Sequence, residues 1–116
     1  MNQFGNQSKS YLAGLLTSAL NSFKAYSYES ITVDGTVKTL TVPADAKYAL
    51  MTLESSVLTG IVARYLETRQ TTVSTTAGLA LRDGSVIDIT DAQNLSQFQI
   101  TQAQAGTHVL KVQYYR

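Results

Sequence analysis

The chain has no cysteine and no tryptophan, a single proline, and charge on only 15% of its 116 residues. Without cysteine there are no disulfide scaffolds, thiolate nucleophiles, zinc–thiolate sites or iron–sulfur clusters. The redox compartment therefore leaves no mark on the sequence. Nine Lys plus Arg stand against eight Asp plus Glu, a net charge of +1 spread thinly along the chain. No basic block exists to neutralise a row of phosphates, which argues against a nucleic-acid partner. No run approaches the roughly 20 apolar residues of a membrane helix, so no membrane partner is expected. Tyr11 to Leu20 is the nearest thing to a signal-peptide core, but Gly14, Thr17 and Ser18 interrupt it.

Neutral polar residues take the place of charge: 15 Thr, 11 Ser and 9 Gln. A surface of hydroxyls and amides suits a packed assembly better than a freely diffusing enzyme. Hydrophobic residues make up 44% of the chain, and a domain of this size buries enough surface to form a core without a metal or disulfide.

Two patterns divide the chain. In residues 1–22, Leu12, Leu15, Leu16, Ala19 and Leu20 recur at the spacing of one helix face, with Ser8 or Ser10 as a cap and Asn21-Ser22 as a stop. This segment reads as a short helix or arm. Its leucine face is expected to cover the domain's own edge or to pack on a neighbouring subunit. From Phe23 the period changes to two, and residues 23–116 read as one β-domain. Ile31 to Val33, the turn Asp34-Gly35 and Val37 to Val42 predict a hairpin with a type I′ turn. Strands are also expected at Tyr48–Glu54, Ile61–Leu66, Leu79–Leu81, Ser85–Ile89, Leu95–Ala103 and Thr107–Tyr115. Thr71 to Thr76 reads as an edge strand or loop. About eight short strands with turns every 8 to 12 residues predict an all-β fold, an antiparallel β-sandwich of jelly-roll-like type.

Candidate chemistry is sparse. His108 is the one histidine, and no serine sits in a G-x-S-x-G elbow, so a strand histidine facing solvent or an interface is expected rather than a catalytic base. Asp83, Asp88 and Asp91 fall close together, but their spacing does not match the EF-hand loop, and turn chemistry is expected of them. Glycines occur singly, without a phosphate-binding fingerprint. No catalytic residue, cofactor or metal is expected. The seven tyrosines are the most unusual feature. Tyrosine pairs an apolar body with a polar tip and favours half-buried sheet faces and interfaces; a stacking platform for sugars is the sharper alternative. Leu12, Leu15, Leu16, Leu20, Tyr26, Tyr28 and Tyr115 are the candidate interface residues.

The turn Gly78-Leu79-Ala80-Leu81-Arg82-Asp83-Gly84 is followed by Asn94-Leu95, by Phe98-Gln99-Ile100 and by Leu110-Lys111-Val112-Gln113-Tyr114-Tyr115. With Leu40-Thr41-Val42-Pro43 and Tyr48-Ala49-Leu50 earlier, this order resembles small β-sandwich structural proteins of tailed-phage virions. The likeness covers residues 31–116 and consists of turns and alternation, not catalytic residues. It implies a capsid decoration (cement) protein located in the virion, with the major capsid protein or another virion protein as partner and a dimer or trimer as the working unit. A head–tail or tail component, a carbohydrate- or receptor-binding module, and a small enzyme using His108 are the alternatives.

Overall fold

The computed structural model describes residues 23–116. Strands β1 (Ala25–Val33), β2 (Tyr48–Ser55), β3 (Ala63–Leu66), β4 (Leu79–Leu81) and β5 (Val86–Thr90) come first. A short helix α1 (Ala92–Gln97) then leads into β6 (Gln99–Gln102) and β7 (His108–Tyr115). The expected leucine-faced helix, with Leu12, Leu15, Leu16 and Leu20, lies outside the described residues.

The strands form two antiparallel sheets, one in the order β1-β7-β2-β5 and one in the order β4-β3-β6. Alternation decides which side of each is dry. In β7, His108, Leu110, Val112 and Tyr114 point inward; in β2, Ala49, Met51 and Leu53 do; in β5, Ile87 and Ile89. Ala63, Leu81 and Ile100 of the smaller sheet join them, with Leu95 and Phe98, in one continuous core. The mostly β, two-sheet architecture read from the sequence is therefore present.

Two expected elements form differently. Ile31–Val33 and Val37–Val42 do not pair as a hairpin. β1 pairs along its whole length with β7, while Lys38 exchanges backbone hydrogen bonds with Ile100 of β6 at 2.8 and 3.0 Å. Neither Asp34 nor Gly35 has the positive φ that a type I′ turn requires. Instead Asp34 Oδ1 accepts the Thr36 N–H at 2.9 Å, and the chain steps from the larger sheet to the smaller. The segment then crosses the open side between the sheets. Leu40 and Val42 pack on the core, and the Thr41 N–H donates to Glu29 Oε2 at 3.0 Å.

The second departure is at Leu95–Phe98, expected as strand. Residues 92–97 are helical, capped by Asp91, whose Oδ1 accepts the Gln93 N–H at 2.9 Å, and only Leu95 of the helix is buried. The residues of the phage-like pattern at Asn94-Leu95 thus belong to a helical turn, not a strand. Thr71–Thr76 is a loop, held on the outside of the smaller sheet. The Gln99 side chain donates to Thr68 O and Thr71 O and accepts from the Val73 N–H, while Arg64 donates to Thr75 O and Gly78 O. Gly78 is at φ +128°, and a Cβ there would stand 2.9 Å from Val73 and 3.1 Å from the Tyr65 carbonyl. Only glycine lets this loop close against β3.

Candidate interaction face

His108 opens β7 and is wholly buried within the chain, where the sequence suggests a strand histidine facing solvent or an interface. Its Nε2 lies 2.8 Å from the Gln104 carbonyl, which can only accept, so the proton sits on Nε2. Nδ1 is hydrogen-bonded to the Ser55 hydroxyl at 2.8 Å, and Ser55 Oγ in turn accepts the Val57 N–H at 2.9 Å. A nucleophilic serine needs a base oriented by a carboxylate and a path for substrate. Here a backbone carbonyl orients the ring, and the site is closed. Gly106 packs so tightly that a Cβ would stand 2.9 Å from His108 Cε1 and 2.8 Å from Val57. This Ser–His pair ties the β2 and β7 ends together.

The three aspartates do not converge. Asp83 Oδ1 accepts the Ser55 N–H at 2.9 Å, Asp91 caps α1, and Asp88 faces outward on β5. Among the described residues no cluster of three or more potential metal ligands forms, and no helix is long and apolar enough to cross a membrane.

The tyrosines are placed by strand register. A bulge between Ala25 and Ser27 makes Tyr26 the extra residue of β1. Tyr26 and Tyr28, which strict alternation would set on one face, are therefore separated. Tyr26 packs against the core, donates to the Ala44 carbonyl, and carries the Arg116 guanidinium 4.6 Å above its ring. Tyr28 and Tyr115 face outward. Tyr114 points inward and donates to Glu29 Oε2; burial, then this hydrogen bond and the Glu29 charge, push its pKa well above the usual tyrosine range. Burial, then the Asp88 charge, also raises Tyr48. Burial, then Glu67 and Asp88, raises Tyr65, whose ring stacks on Phe98 at 5.8 Å.

The outer face of the larger sheet is built in rows by the register. Ala25, Tyr115, Tyr48 and Thr90 form one row, Tyr28, Gln113, Leu50 and Asp88 the next, and Ser30, Lys111, Thr52 and Val86 a third. At one corner Phe23 stacks on Tyr48 at 5.8 Å, and Tyr115 meets Tyr48 edge-on at 5.1 Å. Tyr28 and Val86 remain 61% and 64% exposed. Between them runs a shallow groove of about 150 Å³ lined by Tyr28, Leu50, Thr52, Lys111, Val112 and Gln113. A second, hydroxyl-rich groove of about 280 Å³ separates Gly35 and Val37 from Val73–Thr75.

Of the candidate interface residues, Tyr28 and Tyr115 lie on this outer face, and Leu50, Val86 and Phe23, which the sequence does not single out, lie there with them. Their signal was the outward phase of each strand, which needs the pairing register as well as the alternation. Comparison with protein-family models, with curated proteins and with solved structures gives no match to this chain.

Proposed function

We propose that this chain is a non-enzymatic structural protein of a tailed-phage virion, most simply a capsid decoration or cement protein. In this reading it binds the major capsid protein or another virion protein as a closed dimer or trimer, and the two sheets are a jelly-roll-like sandwich. The observation that carries the reading is the use made of the reactive side chains. His108 and Ser55 are locked to each other and to backbone, Glu29 holds Tyr114 and Thr41, and Arg64 and Gln99 anchor a loop. The surface left is rich in hydroxyls and amides, with exposed Leu58, Leu79 and Val37 in the smaller sheet and the segments beside it. That side is where the reading places neighbouring subunits. A decoration protein acts through buried area repeated over many copies, so modest single contacts add by avidity.

The resemblance in the turns and in the Leu110–Tyr115 strand supports the reading. The clustering of the aromatic rings disfavours the sugar-binding alternative. Phe23 stacks on Tyr48 and Tyr115 meets Tyr48 edge-on, so the rings at that corner are engaged with one another. The test is to add purified protein to particles lacking it. Saturable binding at a fixed ratio to the shell protein, with a higher particle disruption temperature, is expected. Absence of binding, or glycan binding in its place, overturns the reading.

A further inference from the structure

We propose that the outer face of the β1-β7-β2-β5 sheet is the seat of the chain's own leucine stripe, Leu12, Leu15, Leu16 and Leu20. The inference does not depend on the virion reading. It starts from the point where residues 1–22 join the described structure. Phe23 is stacked on Tyr48 at the corner of this face, and the next residue is fixed, since Lys24 and Arg116 exchange backbone hydrogen bonds at 2.9 and 3.0 Å. Leu20 is three residues from Phe23, so it lies within about 11 Å of that corner. The stripe is tethered beside the face at high effective concentration.

The face is more apolar than an outward sheet surface needs to be. An antiparallel sheet with one wet side alternates apolar-in and polar-out. Here Tyr28, Leu50, Val86, Val109 and Tyr115 all occupy outward positions. The dimensions also agree. Leu12 to Leu20 at helical rise covers about 12 Å. Four strands spaced about 4.8 Å apart measure about 14 Å from first to last. The groove of about 150 Å³ beside Tyr28 and Leu50 is of roughly the size that accepts a benzene-sized apolar group, enough for one leucine side chain. A helix of this length is marginal alone in water, and docking supplies what it lacks. On the smaller sheet, Gln99 and Arg64 already hold the 68–78 loop over the outer side, and the groove of about 280 Å³ left there is lined mostly by hydroxyl and amide side chains and lies away from the Phe23 corner.

The lack of cysteine makes the test clean. Ser18→Cys in the full chain takes a single spin label, and the label's broadening of backbone amide signals maps what lies near it. The expected result is strong broadening at Leu50, Thr52, Lys111 and Gln113 and little at Ala80 and Thr101. It persists when labelled chains are diluted with unlabelled ones, and it is absent when label and isotope are placed on different chains. Leu50→Glu should weaken the broadening several-fold while the β spectrum stays unchanged. Broadening seen only between different chains would make the occupant a second copy and overturn the proposal. Uniform broadening across both sheets, or none, would show the stripe is not seated there and would also overturn it.

Discussion

Tyr114 brings its hydroxyl into the layer between the sheets, where Glu29 accepts its hydrogen bond and burial favours the protonated form. Its pKa is raised from the ordinary 10.0, first by burial and then by Glu29. The native state therefore holds this proton more tightly than the unfolded chain does. The contribution to stability is complete below about pH 10 and falls above it by about 1.4 kcal/mol per pH unit. Tyr114→Phe should cost about 1 kcal/mol at neutral pH and flatten the alkaline fall. Thermal melts between pH 7 and 11 compare the two proteins, and parallel curves would contradict the assignment. His108 gives a second expectation at this scale. His108→Ala should lower stability by about 2–4 kcal/mol in urea titration, because it opens a cavity and strands Ser55 and the Gln104 carbonyl. A change below about 0.5 kcal/mol, typical of surface positions, would contradict its burial.

Among the elements, β7 matters most, because β1 and β2 flank it and both of its backbone edges are paired. Val112 is fully buried at its centre. Val112→Asp places a carboxylate in the core with no cation within reach of it on the flanking Met51 and Glu29, and the variant should fail to fold. Circular dichroism reads this directly; a folded variant with an unchanged melting curve would refute the central placement. The strands with clean alternation, β2 and β7 above all, were legible in the sequence because one wet and one dry face impose period two. The Asp34-Gly35 hairpin was not, because β7 is the partner of β1 and lies far along the chain, beyond the reach of a local turn rule. α1 was hidden because six residues with one buried side chain carry no measurable period. The burial of His108 was equally hidden, since it follows from the inward phase of β7 combined with two partners, Ser55 and Gln104, distant from each other in sequence. The Tyr26/Tyr28 separation depends on one bulge, which alternation cannot reveal.

For the whole molecule, most strand pairs join segments far apart in sequence; β3 with β4 is the one sequential pair among the described strands. Such a topology closes long loops before they are rewarded, so refolding should take milliseconds to seconds. Stopped-flow fluorescence of the tyrosines measures this, and microsecond folding would contradict the observed pairing. If the proposed closed oligomer forms through the exposed Leu58, Leu79 and Val37, a dimer or trimer is expected at micromolar concentration. Sedimentation velocity reads that state, and a monomer at all concentrations would contradict a closed oligomer. Quantitative mass spectrometry of purified intact particles tests the proposed structural role in the virion. The expected result is this chain at a copy number comparable to the shell protein and in fixed ratio to it. Intact particles without the chain, or with only trace amounts, would contradict it.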